Sequence, residues 1–231
     1  MDRDQISRLA HADHPIAAPL DDEAVGRLLD RAVPRPDARV LDLGCGGGEW
    51  LLRALARHPE LRTDGVDLSE RSLDRARQAA LDAGIADRLT LHQTDAAAFT
   101  ATQPFDLVLS VGAAARKQLA LGGRVLIGDG FWTREPSTDA IEMLGELADL
   151  PTTVDRVTAD GWTPVYGHVS TRAELDDYEW SWTGSLAAWA LDHPDDQDSA
   201  QALATATRHR DGWLRTYRES FGFLCLVLRQ N

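Results

Sequence analysis

An acid followed by alternating glycines, Asp42-Leu43-Gly44-Cys45-Gly46-Gly47-Gly48-Glu49, is the run of this chain whose residue types and spacing best suit chemistry. Glycine lacks a Cβ, so Gly44, Gly46 and Gly48 let main chain pass close to a ligand, while a helix starting just beyond them directs unpaired N–H groups at it. Asp42 ends the apolar run Val40-Leu41, which places a carboxylate at the mouth of that turn. The combination suits a nucleoside-type cofactor. A dinucleotide fingerprint, G-x-G-x-x-G counted from Gly44, would need a glycine where Glu49 stands, which disfavours a nicotinamide. Two later acids, Asp67 and Asp95, also close apolar runs. Asp67 follows the glycine turn at about 20 residues, the spacing of a ribose-binding carboxylate in open α/β sheets.

The elements that would position these residues alternate as in a doubly wound sheet. Asp21-Asp22 caps a helix carrying Val25, Leu28 and Leu29 that ends before Pro34. After the glycines, Trp50, Leu51, Leu52, Leu55 and Ala56 form an apolar stripe that stops near Pro59. A further helix starts at Ser69 or Glu70, places Leu73, Ala76, Ala80 and Leu81 on one face, and stops at Gly84. Each acid also has a structural reading. Asp42 and Asp67 could each be a turn former or an N-cap, Asp95 before Ala96-Ala97-Ala98-Phe99 caps a short helix, and the glycines could serve close packing alone. What separates the readings is that each acid stands at the carboxyl end of a successive predicted strand, where such sheets bind ligands.

The glycine run resembles the D-x-G-x-G-x-G motif of class I S-adenosylmethionine-dependent methyltransferases, and later segments fall in that family's order. Gly65-Val66-Asp67-Leu68-Ser69 is similar to its second strand, Leu91-His92-Gln93-Thr94-Asp95-Ala96 to its third, Pro104 to Ser110 to its fourth, and Gly122-Gly123 through Gly128 to its turn and fifth strand. The resemblance implies an α/β fold with a doubly wound, Rossmann-like sheet of seven strands, mostly parallel with an antiparallel last strand, and a helical insertion near the C-terminus. It implies one domain over residues 1–231, divided into an N-terminal helical cap (1–36), a cofactor core (37–130) and substrate-side helices with the last two strands (131–231). S-adenosylmethionine would then lie with its methionyl end near Asp42, Gly44, Gly46 and Gly48, its ribose on Asp67, and its adenine on Asp95 and the amide of Ala96. Leu68 would pack on the adenine face and Ser110 would touch the methionyl portion. The implied reaction is methyl transfer by in-line displacement. The other readings are a protein that binds S-adenosylmethionine without methylating, or a non-methylating enzyme on the same fold.

The acceptor side is less legible. Val111 to Gly123 is barely the dozen residues that a parallel crossover requires, and members of the family usually spend more there. The D/N/S-P-P-Y/F/W tetrapeptide of enzymes that methylate exocyclic base amines is absent, since Ser110 is followed by Val111-Gly112-Ala113. The formal net charge of −13 opposes a polyanion, and the basic residues are scattered arginines such as Arg71, Arg75 and Arg77. A small-molecule acceptor and no nucleic-acid partner are therefore expected. His14 and His168 are the candidate bases, each weighed against an ordinary structural or loop histidine. Trp132, just beyond the fifth strand, is the candidate pocket wall, while Trp180, Trp182 and Trp189 at helical spacing are expected to pack a helical insertion. His11 and His14 lack a thiolate or carboxylate at a recognisable interval, so no metal is expected. Cys45 and Cys225 offer no disulfide framework, the first residues have no apolar signal core, and the longest apolar run, Phe221 to Leu228, cannot span a bilayer. A cytoplasmic protein with no membrane association is expected.

Overall fold

The computed structural model describes residues 1–109 and 117–230 of the 231. The chain forms two compact units, one of Asp22–Asp129, Asp155–His168 and Cys225–Asn231, the other of Met1–Asp21, Gly130–Val154 and Val169–Leu224.

The sheet has seven strands, in chain order β1 (Arg39–Leu43), β2 (Arg62–Asp67), β3 (Leu89–Gln93), β4 (Phe105–Leu109), β5 (Leu119–Trp132), β6 (Trp162–Val169) and β7 (Phe221–Gln230). Their spatial order is β3-β2-β1-β4-β5-β7-β6, with β7 antiparallel in an otherwise mostly parallel sheet. This is the Rossmann-like methyltransferase arrangement. Val40 and Leu41 in β1 and Leu107 and Val108 in β4 are fully buried, as central parallel strands covered on both faces must be. Parallel pairing sets Asp42 opposite Gly65 and Asp67 opposite Gln93, so the acids of β1 and β2 emerge from the same end of the sheet.

Helices return the chain between these strands: α1 (Arg3–Ala10) and α2 (Asp22–Ala32) precede the sheet, α3 (Glu49–Arg57) links β1 to β2, and α4 (Glu70–Asp82) links β2 to β3. Ser69 caps α4 by accepting from the Ser72 N–H, which resolves the choice of start. Leu51 and Leu55 of α3 and Leu73, Ala76 and Ala80 of α4 are buried as read from the sequence, whereas Ala56 and Leu81 are exposed and the unread Ala54 is buried.

Several boundaries differ from the sequence reading. The third strand ends at Gln93, because Asp95 and its carbonyl oxygen take up the N–H groups of Ala97, Ala98 and Phe99 in a turn. The fifth strand begins at Leu119, and Gly122-Gly123 lies inside it as an irregularity instead of a preceding turn. Pairing jumps from Phe105↔Leu119 to Leu107↔Arg124, and Gly122 takes a φ of 76° that lets the surplus residues loop out. The helix Thr138–Leu144 stops where Gly145, at φ 85°, breaks it. A helix over Leu150–Ala159, unread in the sequence, starts where the Asp149 carboxylate accepts from the Thr152 N–H.

In the other unit the long helix Arg172–Asp192 opens with a capping box between Thr171 and Glu174 and packs with the helix Ser199–Gly212. A π-helical turn, Trp213–Tyr217, continues the latter. Among the described residues no helix is long and apolar enough to cross a membrane.

Candidate cofactor site

The site is built where β1 and β2 end. Gly44, Gly46 and Gly48 all take positive φ, at 90°, 52° and 77°, conformations costly for any side chain with a Cβ. A Cβ built on Gly44, Gly46 or Gly47 would meet nothing within 4 Å among the described residues, so this main chain presents a bare face to open space. Gly48 instead turns inward, its notional Cβ 3.0 Å from that of Ala76, and begins α3. The loop is tied to β2 by Gly44 N–H and Cys45 N–H donating to the Val66 carbonyl at 2.8 and 3.0 Å. Gly65 lets the loop pack closely: a Cβ there would lie 2.8 Å from Cys45 Sγ and 2.9 Å from Leu91 Cδ2, so these side chains would have to shift.

Asp67 is held by the backbone of the glycine loop and of its own turn. Its Oδ2 accepts from Gly46 N–H and its Oδ1 from Ser69 N–H, each at 2.8 Å. Two backbone donors fix the carboxylate, and each oxygen retains a lone pair for a ribose hydroxyl. Next to it Leu68 is 69% exposed, an apolar side chain presented to solvent at a strand end. Asp42 is the opposite case. Its carboxylate is buried, and burial with the like charge of Asp67 pushes its pKa up to about 7. Burial, then Asp42 and Asp67, push the Cys45 thiol well above its ordinary value, so this cysteine is no nucleophile.

The third acid, Asp95, is exposed and its Oδ1 accepts from Ala97 N–H at 2.8 Å, so it shapes the turn that carries Ala96. Thr94 N–H donating to the Asp67 carbonyl at 3.1 Å holds that turn beside the ribose acid. The far side of the turn is pinned by Gln118, which sequence reading missed. Its buried side chain donates to the Phe99 carbonyl at 2.7 Å and accepts from Ala101 N–H at 3.1 Å. No local sequence signal marks a glutamine whose partners lie 17 and 19 residues away. Ser110, expected beside the methionyl portion, lies outside the described residues.

The structure thus brings together Asp42, the glycines, Asp67, Leu68, Asp95 and Ala96. It does not bring His168 to them: β6 lies at the sheet edge, with β4, β5 and β7 between it and β1, which at strand spacing is roughly 19 Å. In the other unit, His14 meets the Tyr178 ring edge-on at 5.3 Å, and its Nδ1 faces the Ile16 carbonyl at 2.8 Å. That nitrogen must carry the hydrogen, which leaves Nε2 as the acceptor of the neutral ring. Trp132 is buried with Ala140, Trp213 and Tyr217, and Phe221 meets its ring edge-on, so its surface is spent on packing. Trp182 stacks on His209 and Trp189 on His193, while Trp180 meets Trp213 edge-on.

Residues 40–120 match a family described as a methyltransferase domain. That match over residues 40–120, the sheet order and the acid-flanked glycine face together indicate a class I S-adenosylmethionine-dependent methyltransferase. Among its relatives, the uncharacterized protein YjhP of Escherichia coli (strain K12) is 27% identical over 96% of this chain and 97% of its own length. The X-ray structure of YjhP superposes with a TM-score of 0.86 at 25% identity, covering 98% of this chain and 100% of that one. A methyltransferase from Thiobacillus denitrificans, crystallised with S-adenosyl-L-homocysteine, matches in fold with a TM-score of 0.88 at 24% identity over the whole of both chains. Trans-aconitate 2-methyltransferase of Streptomyces avermitilis is 38% identical over 46% of this chain and 38% of its own length.

The cofactor is S-adenosylmethionine. The residues present suit it: a bare main-chain face for the close approach of the methionyl chain, a fixed carboxylate with spare lone pairs for ribose, an exposed leucine for a ring face, and a buried acid with no counter-ion among the described residues for a cationic group.

Proposed function

We propose that this enzyme methylates a small organic molecule in the cytoplasm, using neither nucleic acid nor membrane as partner. The observation that carries the reading is the open glycine face flanked by Asp67 and Asp42. The small-molecule part is supported by the formal net charge of −13, which repels polyanions, and by a relative that bears the name of a small carboxylic acid.

When bound, the cofactor supplies a methyl group on a sulfonium, which the acceptor displaces in line with release of S-adenosylhomocysteine. The protein's part is then alignment and exclusion of water. Asp67 holds the ribose hydroxyls, Leu68 covers one adenine face, and Asp95 with the Ala96 amide reads the adenine edge. Gly44, Gly46 and Gly48 seat the methionyl chain, with Ser110 as a further contact. His14 is the candidate base for an acceptor that must lose a proton, because its Nε2 keeps a lone pair while Nδ1 is engaged. His168, remote in strand order, is the second candidate, and Trp132 stays the candidate wall of the acceptor pocket.

Incubating the full chain with S-adenosylmethionine and a panel of small carboxylates, phenols and amines, with RNA and DNA as controls, tests the reading. S-adenosylhomocysteine is expected with one class of small molecule. Turnover confined to nucleic acid would overturn it.

A further inference from the structure

Asp42 is a buried acid with no neutralising group among the described residues. It is 7% exposed, and among the described residues no hydrogen bond reaches its carboxylate. The titratable groups that face it are Asp67 from β2 and the Cys45 thiol from the glycine loop, an anion and a neutral group. No lysine, arginine or histidine among the described residues acts on it. The two acids are not equivalent, since Asp67 accepts from two backbone donors at 2.8 Å. Among the described residues Asp42 has no such donors. A buried charge without a partner costs several kcal/mol, and the usual outcome is that the group keeps its proton.

S-adenosylmethionine brings a sulfonium and an ammonium at its methionyl end, the end assigned to this loop. We propose that cofactor binding is coupled to ionisation of Asp42: the carboxylic acid of the cofactor-free protein becomes the counter-ion of the cofactor's cationic end. The O–H bond breaks, its electron pair stays on the carboxylate, and the proton leaves to solvent. Asp42 then selects for positive charge in the cofactor and makes affinity depend on pH, a task separate from the ribose contact of Asp67. The inference rests on the cofactor assignment and is independent of the acceptor.

Calorimetric titration of the full chain with S-adenosylmethionine at about pH 6, in two buffers of very different ionisation enthalpy, counts the protons exchanged. Release approaching about one proton per cofactor is expected, with affinity rising up to about tenfold per pH unit between roughly pH 5.5 and 6.5. In Asp42→Asn, whose amide cannot ionise, both effects should vanish. The wild-type comparison stands even where that variant does not fold. Equal heats in the two buffers, or undiminished proton release by a folded Asp42→Asn, would overturn the proposal. Failure to bind S-adenosylmethionine at any pH would overturn the cofactor assignment, and this coupling with it.

Discussion

At the scale of single residues, the site depends on two acids of the same type placed in opposite environments. Asp67 has backbone donors on both oxygens, whereas Asp42 has burial and a like charge. A stability consequence follows with a definite sign. The folded chain holds a proton on Asp42 to about 7, against 3.8 for the ordinary group, so between those values the folded state binds more protons than the unfolded. Asp42 therefore destabilises the cofactor-free fold progressively as pH rises through that window. The Tm of Asp42→Asn relative to wild type should climb from acid pH to above neutrality, measured by differential scanning calorimetry without cofactor. A constant difference would show that Asp42 is ionised throughout. The identity and spacing of these acids were legible in the sequence because they are local to a glycine turn. Their unequal environments were not, since burial and donors come from β2 and from the loop's own fold.

At the scale of elements, the glycine turn, the Asp67 turn and the Asp95 turn are three consecutive strand ends held side by side by parallel register. Strands and helices from α2 to α4 were readable because apolar periodicity and caps such as Ser69 are written within a few residues, whereas α1 was not read. The β5 boundary was not, because Gly122 looks like a turn locally and becomes a bulge only through pairing with β4. Gln118 was invisible for the same reason. It bonds both ends of the segment after Asp95, so Gln118→Ala should free the adenine turn and strand two backbone groups. A loss of about 1–3 kcal/mol in S-adenosylmethionine affinity is expected, read by titration well below the variant's Tm. Unchanged affinity would confine Gln118 to a structural role. Trp132, expected just beyond the fifth strand, is that strand's last residue, and its ring packs with Trp213, Tyr217 and Phe221.

For the whole molecule, the informative quantity is charge. Thirteen net negative charges leave little prospect of a phosphate track, and arginines such as Arg57 and Arg218 are engaged in ion pairs with Asp30 and Asp176. Neither duplex DNA nor RNA should be retarded by the protein in an electrophoretic mobility assay even at low salt, where counter-ion release favours binding most. A shift that salt abolishes would reveal a basic track and reopen the nucleic-acid reading. Composition and charge made this exclusion legible from the start, whereas the acceptor pocket stayed unread because displacement chemistry asks alignment of the protein and imposes no fixed residue pattern.

The central claim is that the acid-flanked glycine face binds S-adenosylmethionine. Parallel calorimetric titrations of the wild type and a folded Asp67→Ala variant with S-adenosylmethionine and with NAD test it most directly. Binding of S-adenosylmethionine alone is predicted, weakened by about 1–3 kcal/mol in the variant through loss of charged hydrogen bonds to ribose. Binding of NAD in its place, or an affinity for S-adenosylmethionine indifferent to Asp67, would contradict it.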